Sequence, residues 1–192
     1  MAETGPRVDP RILRTRQLLK DAFIELLGET ELDKITVQRL TQRASINRVT
    51  FYLHYRDIPD LMDRLAEEMA EQIRLILFAS SSQETEELEQ TLIDLLEHIA
   101  MHSSFYKAVL AARLMPAFAD RLLQLLSELI TSRMQWKAEQ SGEEPAVPKD
   151  IVIWYGSSAL IGLIVSWLRR DMPYTPRFLA KQFMLLTKRK GA

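Results

Sequence analysis

Apolar residues recur at three- and four-residue intervals along almost the whole chain, and no segment alternates apolar with polar residues in the two-residue rhythm of a strand. A chain patterned this way buries its apolar stripes only by packing helix on helix, which makes the expected fold all-α, with about nine helices. Leu19, Ala22, Phe23, Leu26 and Leu27 mark a first helix of about twenty residues, with Pro10 near its start. Thr36 is a candidate N-cap for a short second helix carrying Val37, Leu40 and Ala44 on one face. Ser45, Ile46 and Asn47 interrupt the pattern, and Asn47 can cap a third helix from Arg48 to Tyr55 with Phe51 and Tyr55 one turn apart. Asp57 can cap a fourth helix that holds Pro59 in its first turn and Leu61, Leu65, Met69, Ile73 and Ile76 along its stripe.

Beyond the polar stretch Ser80 to Gln83, a fifth helix carries Leu88, Leu92, Leu95 and Ile99 to about His102, and a short sixth carries Phe105 and Val109. Pro116 opens a seventh with Phe118, Leu122, Leu125 and Leu129, which stops before the loop Ser141 to Pro145. The segment Ile151 to Leu168 is apolar nearly all round but includes Ser, Trp and Tyr, so it reads as a fully buried or interface helix rather than a membrane span. Pro173 and Pro176 precede a ninth helix with Phe178, Leu179, Phe183 and Leu186.

At 192 residues and 47% hydrophobic content, the chain can bury a core but is too short for several domains. One small headpiece, residues 1–57, and one larger body, residues 58–192, are expected. The absence of cysteine rules out disulfides, thiolate metal sites and cysteine nucleophiles, and suits a reducing compartment. Met1 to Pro10 has charged residues and no apolar leader core, so a soluble, cytoplasmic protein with no membrane partner is expected. The net charge of −1 conceals an asymmetry: residues 1–56 hold ten Lys/Arg against seven Asp/Glu, and the remainder fifteen against nineteen.

The second and third helices, joined by a turn of three or four residues within 36–55, have the dimensions of a helix-turn-helix, whose second helix enters the DNA major groove. With Phe51 and Tyr55 turned inward, Arg48, Val49, Thr50, Tyr52 and His54 are left for solvent. That face mixes base-edge donors, phosphate donors and a flat aromatic ring.

The run Ile35-Thr36-Val37-Gln38-Arg39-Leu40, followed by Arg43-Ala44-Ser45-Ile46-Asn47-Arg48-Val49-Thr50-Phe51-Tyr52-Leu53-His54-Tyr55, resembles the headpiece of TetR-type (tetracycline-repressor-like) regulators. The likeness covers about residues 11 to 65. Less closely, Phe105-Tyr106-Lys107 and the segment Gly162 to Trp167 resemble the body of a branch common in Firmicutes. The resemblance implies a DNA-binding transcriptional regulator, most simply a repressor that a small-molecule effector releases from a palindromic operator. Arg48, Val49 and Tyr52 would face base edges or adjacent sugar-phosphate, and Thr36, Gln38, Thr50, Tyr52 and His54 would mainly hold phosphates. Arg48 can donate twice to a guanine edge, and Val49 offers an apolar surface to a thymine methyl. Arg11, Arg14 and Arg16 could add phosphate contacts that carry no sequence information. Two positions depart from the family pattern: Ser45 stands where glycine is usual in the turn, and Ile58 where a phosphate-contacting lysine is common.

The resemblance also implies a homodimer in which the eighth and ninth helices form a four-helix bundle across a two-fold axis. Tyr155, Ala159, Gly162, Leu163, Ser166, Phe178 and Phe183 are the expected interface residues. For the effector, Tyr106, Arg113, Met115 and Trp154 are the candidate pocket lining, since each sets a polar or aromatic group among apolar neighbours.

Other chemistries fit the sequence less well. His98 and His102 lie four residues apart with Asp94 one turn earlier, but three groups in line on one straight helix converge poorly on an ion, so no metal is expected. No nucleophile elbow or glycine-rich phosphate loop is present, and Glu86-Glu87 sits in a solvated charge run, so neither catalysis nor a cofactor is expected. A protein-binding helical module or coactivator that kept the headpiece but lost strong specific DNA binding is the alternative that Ile58 and the modest charge of the front segment leave open.

Overall fold

The computed structural model describes residues 9–79, 85–112, 114–141 and 147–188. Among the described residues there are nine α-helices and no strand. They form two compact units, Met1–Glu67 and Glu68–Ala192.

The first unit begins with α1 (Pro10–Glu29), which Asp9 caps by accepting the Arg11 N–H at 2.9 Å. A 3-10 turn at Leu32–Lys34 leads into α2 (Val37–Ala44), where Thr36 Oγ1 accepts the Arg39 N–H at 3.2 Å, as expected of its N-cap. Asn47 caps α3 (Arg48–Tyr52) by accepting the Val49 N–H at 2.8 Å. α1 packs on α2 and α2 on α3, and Leu19, Phe23, Leu40, Phe51, Leu61 and Leu65 are fully enclosed. Each such side chain contributes about 1.5–3 kcal/mol when removed from water, enough to hold a five-residue helix that has no stability of its own. A bidentate pair adds a polar clamp outside this core: Arg43 on α2 reaches Glu29 on α1 at 2.6 and 2.8 Å and Glu25 at 3.1 Å.

α4 (Ile58–Leu77) starts in the first unit and runs into the second. Asp57 Oδ1 accepts the Asp60 N–H at 2.8 Å, placing the cap where the sequence suggested. Residues 58–67 of this helix belong to the first compact unit.

The second unit contains the rest of α4, α5 (Thr85–Met101), the single turn α6 (Ser103–Tyr106), α7 (Pro116–Ser141), α8 (Lys149–Arg169) and α9 (Pro176–Lys188). α7 packs on α8 and α5 on α9. The short sixth helix is not uniform: after α6 the chain widens into a π-helical turn at Lys107–Ala111, with the Ala112 N–H donating to the Lys107 carbonyl at 2.9 Å. In this segment Phe105, Tyr106, Ala108, Val109 and Leu110 are all buried. The π turn is tied to the end of α8 by Arg169 donating to the Ala111 carbonyl at 2.9 Å, and to the turn that follows by a Lys107–Asp171 ion pair at 2.7 Å. In length and composition α8 could cross a membrane, yet only 28% of its most apolar window is buried. That exposure excludes the fully buried alternative and leaves an apolar face uncovered.

Candidate nucleic-acid interface

The geometry of the helix pair comes from its turn. Ser45 adopts the left-handed conformation, φ 54° and ψ 38°, just past the end of α2. The Ile46 N–H then donates to the Thr41 carbonyl at 2.9 Å and the Ser45 N–H to the Gln42 carbonyl at 3.2 Å, the paired bonds of a Schellman motif. Serine therefore adopts the conformation that glycine supplies without steric cost, so the turn is closed despite the substitution.

α3 ends at Tyr52, three residues short of the extent expected from its apolar spacing. The chain still coils once more, because the Tyr55 N–H donates to the Phe51 carbonyl at 2.9 Å. Phe51 and Tyr55 are buried with ring centroids 5.7 Å apart, as anticipated. Arg48, Val49 and Tyr52 are exposed, Val49 at 69%, while Thr50 and His54 are half-buried. The Arg48 guanidinium donates to the Tyr52 hydroxyl at 3.3 Å and lies 5.7 Å from the centre of its ring, which holds both side chains on one outward surface. Thr36 and Gln38 are exposed at the N-terminus of α2, where backbone N–H groups point outward.

His54 is held below its ordinary pKa, first by burial and then by the charge of Arg16. The Arg16 Nε is buried without a hydrogen-bond partner. Leu53, 76% exposed, is a surface residue that the sequence reading left unassigned. Leu53 lies just past the last residue of α3. Ile58, at the start of α4, is half-buried and provides no cation there.

In the second unit three of the four effector candidates, Tyr106, Met115 and Trp154, are described, and they differ in burial. Tyr106 is fully enclosed, and its hydroxyl shares a 2.8 Å hydrogen bond with His98 Nε2. Met115 is half-buried, Trp154 is 65% exposed on α8, and Arg113 lies outside the described residues. A cavity of about 490 Å³ lies instead among α5, α7, α8 and α9. Leu92, Leu126, Leu129, Leu160 and Met184 form its buried floor, and Arg133, Trp136 and Lys137 stand in its wall. The sequence reading missed these three, whose only signal was a pair of cations four residues apart inside the apolar run of α7. Of the expected interface residues, Tyr155, Gly162, Ser166 and Phe178 are exposed, while Ala159, Leu163 and Phe183 are half-buried. Tyr155 and Phe183 also line the cavity.

The histidine pair is occupied within the protein. His98 and His102 have ring centroids 4.8 Å apart, and Asp94 accepts from the Gln90 amide at 2.7 Å.

Comparison with known proteins places the two units in one family. The family described as "Transcriptional regulator C-terminal region" (TetR_C_8) matches residues 86–189. The chain is 27% identical over 186 residues to the uncharacterized HTH-type transcriptional regulator YxbF of Bacillus subtilis, which covers 95% of this chain and 47% of that protein. It is 39% identical over 54 residues to the class D tetracycline repressor protein of Escherichia coli, covering 28% of this chain and 25% of that protein. The chain thus spans about half or less of the length of the curated relatives it matches. Among solved structures, a TetR transcriptional regulator from Streptococcus agalactiae superposes with a TM-score of 0.66 at 26% identity, over 93% of this chain and 96% of that one. The all-α fold, the helix pair closed by Ser45 and the match over residues 86–189 establish that the chain belongs to the TetR-type transcriptional regulators.

Proposed function

We propose that the chain acts as a homodimeric, non-enzymatic repressor that binds a palindromic DNA operator in the cytoplasm and leaves it when a small molecule occupies the second unit. The observation that carries the reading is the outward surface of α3, where Arg48 and Tyr52 brace one another beside exposed Val49. A guanidinium held this way can donate to O6 and N7 of guanine, and Val49 can meet a thymine methyl. Thr50, Tyr52 and His54 supply phosphate donors on the same side, and the N-terminus of α2 with Thr36 and Gln38 offers its N–H groups to another phosphate. Residues 1–57 serve as the DNA-binding headpiece and 58–192 as the effector and dimerisation region. Relatedness to a tetracycline repressor over 54 residues supports the repressing sense.

The dimer forms through the exposed small and aromatic side chains of α8 and α9, and its two-fold axis sets two recognition helices about one DNA turn apart. Effector binding changes the spacing of the headpieces and so their fit to successive grooves.

Footprinting on the DNA flanking the gene tests the reading, with a protected palindrome as the expected result. Arg48→Ala should weaken operator binding by about 1–3 kcal/mol, or roughly five- to 150-fold, while leaving nonspecific affinity nearly unchanged. Equal operator affinity in wild type and variant would reject the role given to Arg48. A salt dependence no steeper than that of an unrelated acidic protein would reject DNA binding itself.

A further inference from the structure

The cavity among α5, α7, α8 and α9 is apolar, and the charges beside it are answered within the chain. Its floor is buried leucine and methionine, and Ile130, Met134 and Phe183 stand half-buried in its wall. No carboxylate is among the lining residues. The two cations of the wall, Arg133 and Lys137, both have partners within the chain. Burial holds the Arg133 guanidinium below its ordinary pKa, against an opposing pull from the charge of Glu87. An anionic guest would have to displace the partners that these cations already hold, and a cationic one would meet two like charges. Either ion would also lose water on entering.

One residue sets the room available. A methyl group added at Gly156 on α8 would stand 2.9 Å from Ile130 Cδ1 on α7, and both residues line the cavity. Carbon atoms do not pack that closely, and the atom that must give is the far end of a flexible side chain rather than backbone. Ile130 would yield by turning away from α8 into the unfilled space that it lines, where no atoms resist it. Glycine inside a helix costs stability relative to alanine, and at this position it keeps a space open.

We propose that this cavity binds an uncharged, largely apolar molecule, and that Gly156 sets the size of guest it admits by keeping Ile130 out of the guest's space. A volume of about 490 Å³ falls within the range of small-molecule sites. The leucine and methionine floor favours such a guest through apolar surface removed from water, and Trp136 and Phe183 add ring surface in the wall. The assignment identifies the chemical class of the effector and, for its regulatory consequence only, rests on the operator-release reading.

Phenylnaphthylamine and anilinonaphthalenesulfonate share one fluorescent skeleton and differ by a sulfonate, so fluorescence titration of the full chain with each separates an uncharged guest from an anion. The uncharged probe should saturate at one molecule per chain and bind about tenfold or more tighter than the sulfonate. Gly156→Ala should weaken the uncharged probe about fivefold or more at unchanged helical content, because the displaced Ile130 takes up part of the space. Adding Ile130→Val, which removes the crowded methyl, should return the affinity to within about twofold of wild type. Equal or tighter binding of the sulfonate, a Gly156→Ala variant that binds as wild type, or a double variant that stays as weak as Gly156→Ala would each overturn the proposal. The comparison of the two probes on the unaltered chain decides the matter even if Gly156→Ala fails to fold. Saturable phenylnaphthylamine binding that leaves an operator complex intact would sink the release mechanism while leaving the apolar site standing.

Discussion

His98 on α5 and Tyr106 at the end of α6 meet through a 2.8 Å hydrogen bond between the imidazole Nε2 and the phenol oxygen, inside the core of the second unit. Burial, followed by the nearby His102, holds the His98 pKa down at about 4, and burial raises that of Tyr106. Both groups are therefore neutral in the folded protein at ordinary pH.

This pair makes stability depend on pH in a defined direction. In the unfolded chain His98 takes up a proton near 6.5, whereas in the folded protein it resists until about 4. The unfolded state binds more protons between those values, so stability should fall as pH is lowered through that window and level off beneath it. His102 and His54 are also lowered by burial and add to the slope. His98→Gln, which retains an acceptor for the Tyr106 hydroxyl, should flatten the dependence of the urea midpoint on pH between about 6.5 and 4. An unchanged slope would show that His98 is not the residue kept neutral.

Ser45 is a second site with a calculable effect. Its φ of 54° is one that glycine occupies freely and other L-residues adopt at a cost of about 1–2 kcal/mol. Ser45→Gly relieves this strain, while the greater freedom of unfolded glycine offsets about 0.4–1 kcal/mol of the gain. The net expectation is stabilisation of the first unit by up to about 1 kcal/mol, measured as a rise in its denaturant midpoint, with operator affinity retained. A fall in stability would mean that the serine side chain contributes something the turn requires.

Ser45 and Tyr106 separate what is legible in the sequence from what is not. Ser45 was visible as a departure because the Schellman turn is a local backbone event that depends on one residue and its immediate neighbours. The caps Thr36 and Asn47, and the inward pair Phe51 and Tyr55, were legible for the same reason. The enclosure of Tyr106 was not legible, because its partner, His98, lies on a different helix, and the π turn that follows it breaks the 3.6-residue period of the apolar pattern. The cavity was missed for a related reason: its wall combines α5, α7, α8 and α9, and no local pattern records which faces of four helices meet around an unfilled space.

Asp60 anchors the start of α4 and should govern the acid limb of stability. Its carboxylate accepts the Arg56 backbone N–H at 3.0 Å and the Arg56 guanidinium at 3.1 and 3.3 Å, and pairs with Arg64 at 3.4 Å. The backbone bond from Arg56 is the largest cause holding its pKa below the usual carboxylate value. The stabilisation is fully present above the unfolded value of 3.8 and is lost as pH falls through the lower folded value. Asp60→Asn should lower the urea midpoint at pH 6, and the gap from wild type should narrow steadily below about 3.8. A gap that stays constant down to pH 2 would show that the loss comes from packing rather than charge.

Gly162 offers a test of the dimer that spares the fold of the single chain. A methyl group added there meets no atom within 4 Å, and the residue is exposed on α8 together with Ser166. Within one chain, Gly162→Glu should be neutral or mildly stabilising, because glycine costs about 1 kcal/mol in a helix interior. Across a two-fold bundle built on small residues the same side chain would bring two carboxylates together where helices are meant to approach closely. The expected outcome is an unchanged helical circular dichroism spectrum with a mass by light scattering that drops from twice the chain mass of 22.2 kDa to that mass alone. Operator affinity should fall with it, since a lone headpiece loses the second half-site. A Gly162→Glu chain that remains dimeric would move the interface away from this face of α8.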